Sequence, residues 1–112
     1  METKRTKRIR RHARVRSQIK GTPKRPRLAV FKSNRFVYAQ VIDDTKGVTL
    51  LSATSQGMKG IPLKNARAVG EAIAKATLAK KIDTVVFDRG GFRYGGSIKE
   101  IADGAREGGL KF

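Results

Sequence analysis

The sequence lacks the residues that most catalytic chemistry requires. Among 112 residues it has no cysteine and no tryptophan, one histidine, and nine aspartate and glutamate residues. The absence of cysteine excludes disulfide bridges and thiolate metal sites and fits a reducing compartment. A single histidine without a thiol gives no nucleophile–base pair. We therefore expect no enzyme activity, no cofactor and no metal ion.

Long apolar segments are also missing. No run approaches the ~18 apolar residues of a transmembrane helix, and the basic N-terminus lacks the apolar stretch of a signal peptide. We expect a cytoplasmic protein with no membrane partner. The length is typical of one domain with a modest hydrophobic core.

Positive charge dominates the chain and is unevenly distributed. Lysine and arginine total 26 against nine acids, for a formal net charge of +17. Residues 1–27 hold 12 basic residues and one acid, so they carry +11 of that total and residues 28–112 carry the other +6. Charge of this size indicates a phosphate polyanion as the partner. We predict a basic, conditionally helical arm and linker over residues 1–26 and a single domain over residues 27–112.

The arm favours helix formation by residue type but opposes it by charge. Arginine and lysine are good helix formers, yet closely spaced like charges repel one another. We expect a helix that forms against a polyanion and is frayed in the free protein. A solubilising tail is the alternative interpretation. The guanidinium fork suits phosphate, and the phosphate-contacting residues predicted here are Lys4, Arg5, Lys7, Arg8, Arg10, Arg11, Arg14, Arg16 and Arg25.

Three runs rich in β-branched and aromatic residues follow the linker. They span residues 28–32, 36–42 and 48–54, and turn-forming residues separate them, so they predict an antiparallel meander. In the second run Val37, Ala39 and Val41 share one face, which we expect to lie under helices. The opposite face, from Phe36 through Tyr38 and Gln40, is either partly open to a ligand or packed within the sheet.

The second half of the domain alternates helix and strand. Helical content over residues 63–81 precedes an apolar run over residues 82–87, which predicts a crossover to a parallel strand. Ser97 and Glu100 fit a capping box for a last helix that ends at Gly108. The predicted fold class is α/β, with a mixed sheet in β-β-β-α-β-α order, helices packed against the sheet, and the basic N-terminal arm before it.

A glycine-rich loop over residues 88–96 carries the most informative local composition. It combines two arginines, two aromatic residues and four glycines between a strand and a helix. Arginine meets phosphate, aromatic rings stack on bases, and glycine lets the backbone approach a phosphate. The loop lacks the lysine of a P-loop, and a connector covering the core edge is the alternative. The predicted nucleic-acid contacts are Arg89, Gly90, Phe92, Arg93 and Tyr94, and we expect Asp88 to orient the loop.

Several separate segments together closely resemble the bacterial L18 family of large-subunit ribosomal proteins. They are residues 25–34, 38–44, 87–90 and 105–112, and the match runs from the basic arm to the final phenylalanine. The resemblance implies a structural ribosomal protein that binds 5S rRNA and helps attach it to 23S rRNA in the central protuberance. A neighbouring 5S-binding ribosomal protein is an implied partner, and no small-molecule substrate is implied. The RNA contacts that it adds are Arg27, Lys32, Ser33, Asn34 and Arg35.

Two other functional classes remain as alternatives at this stage. A general nucleic-acid chaperone or DNA-compacting protein would use the arm without selectivity. An RNA-processing enzyme is disfavoured because the acid–base and metal constellations are missing. Competition between 5S rRNA and other nucleic acids separates the first alternative from a 5S-specific protein.

Overall fold

The computed structural model describes residues 3–16 and 21–112 of the chain. Its elements are α1 (Lys4–Arg16), β1 (Arg27–Lys32), β2 (Val37–Asp43), β3 (Val48–Thr54), α2 (Pro62–Ala79), β4 (Val86–Asp88) and α3 (Gly96–Glu107). After the arm helix, the order is β-β-β-α-β-α, as predicted from the sequence.

The four strands form one mixed sheet in the order β3-β2-β1-β4. β2 pairs antiparallel with both β1 and β3, whereas β4 lies parallel to β1. This arrangement confirms the predicted meander and the crossover through α2. β4 is shorter than the predicted strand because Asp83 and Val85 pair with the C-terminal segment instead, through hydrogen bonds of 2.8 and 3.1 Å to Lys111.

The core lies between one face of the sheet and helices α2 and α3. Val37, Ala39 and Val41 of β2 are at most 6% exposed and belong to the core, which confirms the predicted helix-facing side. Each fully buried valine, leucine or isoleucine side chain contributes about 1.5–3 kcal/mol to stability. The helical residues of the core include Ala66, Val69, Ile73, Ile98, Ile101 and Ala105.

Helices α2 and α3 approach each other closely at two glycines. A Cβ at Gly70 would meet the carbonyl oxygen of Ile101, and a Cβ at Gly104 would meet that of Arg67. The neighbour that requires a glycine at position 70 is therefore α3.

The start of α3 corrects one expectation. The N-cap residue is Gly95, and no side-chain hydrogen bond caps the helix, so the predicted Ser97–Glu100 capping box does not form. The chain enters the helix through Gly96 at φ 52°, which places Ser97 inside the first turn. Glu100 instead accepts a hydrogen bond of 3.2 Å from Arg67 on α2.

Candidate nucleic-acid interface

Asp88 anchors the glycine-rich loop at the end of β4. Its side chain is fully buried, and its Oδ1 accepts a hydrogen bond of 2.9 Å from the backbone N–H of Gly90. Gly90 adopts φ 65°, and a Cβ there would lie 2.6 Å from the carbonyl oxygen of Val30. The expectation that Asp88 orients the loop agrees with this geometry.

Arg27 lies beneath the same loop and not on the surface. Its side chain is 11% exposed, and it donates to Oδ2 of Asp88 at 2.8 Å and to Oδ2 of Asp44 at 3.0 Å. Burial lowers the pKa of Arg27, but hydrogen bonds to the two carboxylates outweigh burial and leave that pKa raised. The sequence had suggested an RNA contact at Arg27, whereas the structure places its guanidinium between internal carboxylates.

Asp44 also fastens the linker to the domain. Its Oδ2 accepts a hydrogen bond of 2.6 Å from the backbone N–H of Gly21. The backbone N–H of Asp44 donates in return to the carbonyl oxygen of Gly21 at 3.2 Å. The adjacent Asp43 caps its own turn by accepting from the N–H and hydroxyl of Thr45 at 3.0 and 2.6 Å. Asp43 therefore stabilises its own turn, while Asp44 makes long-range contacts.

The two aromatic residues of the loop lie in different environments. Phe92 packs edge-on against Phe31, with ring centroids 5.7 Å apart. Tyr94 packs edge-on against Phe87 at 6.2 Å, and its hydroxyl lies 3.4 Å from a guanidinium nitrogen of Arg106. Tyr94 nevertheless remains 47% exposed. Phe92 thus faces the sheet and arm, whereas Tyr94 lies towards the C-terminal helix.

The two loop arginines differ in the same way. A guanidinium nitrogen of Arg89 donates to the carbonyl oxygen of Phe92 at 2.9 Å, which closes the loop on itself. Arg93 is exposed and makes no hydrogen bond or ion pair with any residue in the two described ranges. Arg93 is therefore the loop side chain best placed to reach a phosphate.

The open face of the sheet holds a cleft beside the loop. Phe31 is 47% exposed, and its ring lies 6.0 Å from that of Tyr38. Both rings line a cleft of about 550 Å³ together with Gln40 and Gly90. Tyr38 and Gln40 therefore lie on the open side, which agrees with the first of the two interpretations of that face.

The β1–β2 turn adds exposed basic residues next to Phe31. Ser33 shapes the turn, because its hydroxyl accepts from the backbone N–H of Phe36 at 3.2 Å. Lys32, Asn34 and Arg35 are exposed. They line a second cleft of about 330 Å³ that extends to Ser97 at the start of α3.

The arm is helical over Lys4–Arg16, and this helix lies beside the loop. Thr3 and Thr6 exchange backbone-to-hydroxyl hydrogen bonds at its start, at 2.8 and 3.2 Å. Arg8 and Arg11 reach the carbonyl oxygens of Gly90 and Gly91 at 3.5 and 3.0 Å. The expected dependence of this helix on a polyanion stays a prediction. Arg16 ends the helix, and its side chain lies outside the described residues.

We refer to α1, Phe31, the turn 32–35 and the loop 89–94 as the arm–loop surface. Its segments contain 12 basic residues and no acid: eight in α1, two in the turn and two in the loop. Arg25 lies outside these segments and is exposed in the linker. The arm–loop surface therefore concentrates positive charge on one part of the molecule.

Acidic side chains neutralise a different part of the protein. Arg67 on α2 forms ion pairs with three glutamates, Glu71, Glu100 and Glu107. Hydrogen bonds that Arg67 donates to Glu107 and Glu100 raise the pKa of Arg67. Helices α2 and α3 together hold five basic and four acidic residues, so their charge nearly balances, whereas the arm–loop surface has no acid.

The described ranges hold neither a cluster of metal-ligating side chains nor a helix suited to span a membrane. Within residues 3–16 and 21–112, no group of three or more histidine, aspartate or glutamate side chains is placed to hold a metal ion. None of the helices described there is long and apolar enough to cross a membrane.

The contribution of Phe31 was missed by sequence reasoning, which treated it as one more apolar strand residue. The available signal was the two-residue period of β1: Leu28 and Val30 point into the core, so Phe31 must lie on the opposite face. An aromatic residue on the open face next to a basic turn is the pattern that would have identified it.

Comparison with known proteins gives consistent matches over nearly the whole chain. A family model described as ribosomal L18 of archaea, bacteria, mitochondria and chloroplast matches residues 2–112. The large ribosomal subunit protein uL18 of Mesoplasma florum is 55% identical over 112 residues, covering 98% of this chain and 97% of its own.

Two further relatives carry the same name. The large ribosomal subunit protein uL18 of Thermotoga petrophila is 51% identical over 118 residues, which cover 99% of this chain and 97% of the relative. That of Staphylococcus carnosus is 52% identical over 110 residues, covering 94% and 92% of the two chains.

Proposed function

The chain belongs to the L18 family of ribosomal proteins, and we propose that it binds 5S rRNA and helps attach it to 23S rRNA in the central protuberance of the large subunit. Its relatives are structural ribosomal proteins, so the chain is not an enzyme. Family membership also agrees with the expected location on cytoplasmic ribosomes. A neighbouring 5S-binding ribosomal protein is the proposed protein partner.

The observation that carries this proposal is the arm–loop surface, with 12 basic residues and no acid. Neutralised phosphates release counterions, and this release supplies much of the affinity of such surfaces for nucleic acid. The residues proposed to contact RNA are Lys4, Arg5, Lys7, Arg8, Arg10, Arg11, Arg14, Arg16, Arg25, Lys32, Ser33, Asn34, Arg35, Arg89, Gly90, Phe92, Arg93 and Tyr94.

Selectivity for a folded RNA needs more than charge. Folded RNA is recognised by its shape and by unstacked bases that pack on aromatic rings. The exposed rings of Phe31 and Tyr94 and the open cleft at Tyr38 offer such contacts beside the basic residues. Arg27 is not included, because its guanidinium is enclosed by Asp44 and Asp88.

A competition experiment tests the proposal. Labelled 5S rRNA transcript is bound to the full chain and challenged with excess tRNA or duplex DNA, which we expect not to displace it. If 6–10 phosphates are contacted, affinity for 5S rRNA should fall roughly 10³–10⁵-fold between 50 and 200 mM salt. Equal displacement by every polyanion would instead indicate a general nucleic-acid binder, and binding insensitive to salt would contradict the phosphate mechanism.

A further inference from the structure

We infer that Arg8 and Arg11 fasten the arm helix to the glycine-rich loop, with Phe31 and Phe92 as the receptor for the Arg8 guanidinium, and that they position the other arm residues for RNA. This inference rests on the proposed function and refines it. It changes the role of Arg8, Arg11, Phe31, Gly90 and Phe92 from direct RNA contact to positioning within the protein.

Arg8 lies over two aromatic rings at once. Its guanidinium carbon is 5.0 Å from the ring centroid of Phe92 and 5.7 Å from that of Phe31. Both distances are within the ~6 Å range of a cation–π contact. The two rings stand nearly perpendicular, at 80°, so together they form a corner around the guanidinium.

The loop atoms that face the arm are backbone carbonyl oxygens, which attract a cation. Arg11 donates from Nε to the carbonyl oxygen of Gly91 at 3.0 Å, and Arg8 lies 3.5 Å from that of Gly90. Both glycines have positive φ values, 65° and 78°, which few other residues adopt. Carbonyl oxygens attract a guanidinium and repel a phosphate. These oxygens are therefore suited to the arm and not to the RNA backbone.

Apolar burial does not hold the arm in place. Ile9 is 50% exposed and Ala13 is exposed as well, so the described apolar side chains of α1 remain largely outside the core. α1 also carries eight basic residues next to a basic domain, and like charges oppose docking. The cation–π and carbonyl contacts of Arg8 and Arg11 offset this repulsion.

A positioned arm binds RNA better than a free one. Ordering a flexible segment at the moment of binding costs conformational entropy, and preorganisation reduces that cost. The three-residue spacing of Arg8 and Arg11 places both on one side of the helix, which leaves other sides to the RNA. We call the contacts of Arg8 and Arg11 with the loop the clamp. Removing the clamp should therefore weaken RNA binding even though neither arginine touches RNA.

A double-mutant cycle in RNA affinity tests the clamp. The variants are Arg8→Ala, Phe92→Leu and the combination, all in the full chain. Each single substitution should weaken binding on the order of three- to tenfold, given the strength of one cation–π contact and one hydrogen bond. Because both substitutions break the same contact, the double variant should bind no more than about twofold less tightly than the weaker-binding single variant. If the fold-losses of affinity of the two single variants multiply in the double variant, the clamp is overturned, because Arg8 and Phe92 then contact RNA separately.

Arg5→Ala is the matched control. Arg5 is exposed on the same helix, carries the same charge and makes no hydrogen bond, ion pair or ring contact within the described ranges. The loss of RNA affinity caused by Arg5→Ala should multiply with the loss caused by Phe92→Leu. A coupling between Arg5 and Phe92 as large as that between Arg8 and Phe92 would overturn the specific pairing of Arg8 with Phe92. A second cycle combines Arg8→Ala with Phe31→Leu. The ring of Phe31 is more exposed than that of Phe92, so this cycle still tests the clamp if Phe92→Leu impairs folding.

The same cycle is measured with 5S rRNA transcript and with an unrelated duplex RNA. Wild-type protein that binds both equally would contradict the proposed 5S function, while the coupling between Arg8 and Phe92 still reports on the clamp. If the wild-type protein binds 5S rRNA selectively but the affinity losses of Arg8→Ala and Phe92→Leu multiply, the result contradicts the clamp and not the proposed function.

Discussion

Arg27 donates a hydrogen bond of 2.8 Å to Oδ2 of Asp88, whose side chain is fully buried. The other oxygen of the same carboxylate holds the N–H of Gly90. One ion pair therefore couples the first strand to the loop that carries the candidate interface, and the charge on Arg27 serves the fold.

Arg27→Ala should destabilise the protein by about 3–5 kcal/mol, because it removes the guanidinium that compensates the buried negative charge of Asp88 and that also pairs with Asp44. Thermal unfolding followed by circular dichroism should show a Tm lower by about 10 °C or more. Arg25→Ala, an exposed neighbour of equal charge, should stay within about 0.5 kcal/mol of wild type. A stable Arg27→Ala protein that no longer binds RNA would contradict the internal role.

Gly90→Ala should disrupt the loop, whereas Gly95→Ala should be tolerated. Gly90 has φ 65° and no room for a Cβ beside Val30, while Gly95 has extended backbone at φ 171° and open space around it. We expect a loss of at least about 2 kcal/mol for Gly90→Ala and less than about 0.5 kcal/mol for Gly95→Ala. Urea unfolding of both variants measures the difference, and equal stabilities would contradict the loop geometry.

Deletion of residues 1–20 should weaken RNA binding while leaving the domain folded. The described apolar side chains of α1, Ile9 and Ala13, are exposed, so the free energy of unfolding should change by no more than about 1 kcal/mol. The slope of log affinity against log salt should decrease by roughly 0.7–0.9 for each phosphate that the truncated protein no longer neutralises. A truncated protein that fails to fold, or whose salt slope is unchanged, would contradict the assignment of the arm to RNA.

The two loop arginines should separate stability from binding. Arg93→Ala removes an exposed cation, so we expect weaker RNA binding, a salt slope smaller by roughly 1 and an unchanged Tm. Arg89→Ala also removes the hydrogen bond to the carbonyl oxygen of Phe92, so it should lower stability by about 0.5–1.5 kcal/mol. Binding isotherms at several salt concentrations, paired with melting curves, distinguish these outcomes. Identical behaviour of the two variants would contradict the difference between their environments.

Much of the fold followed from local patterns. The third strand was predicted with its observed bounds, Val48–Thr54, because β-branched residues and flanking turns mark it clearly. The capping box at Ser97 was wrong because backbone freedom at Gly96 lets the helix begin earlier, and this freedom is not visible in a pattern of side chains. The strand beginning at residue 82 was too long because its first residues pair with the C-terminal segment, which is distant in sequence.

The candidate site was less accessible to sequence reasoning. The charge of the arm and the composition of the loop identified the basic and aromatic residues. They did not distinguish Arg27, enclosed by Asp44 and Asp88, from Arg93, which is exposed. Both are arginines in basic segments of the sequence, and only the folded chain assigns one of them to the interior.

The sequence by itself determined the polyanion partner, the α/β order and the lack of catalytic groups, because charge, periodicity and residue type are local properties. The tertiary structure alone decided that Arg8 meets Phe31 and Phe92, and that Asp88 joins β1 to the loop. These contacts join residues between 23 and 84 positions apart in the chain. Packing of the whole domain brings such residues together, and no local pattern encodes that proximity.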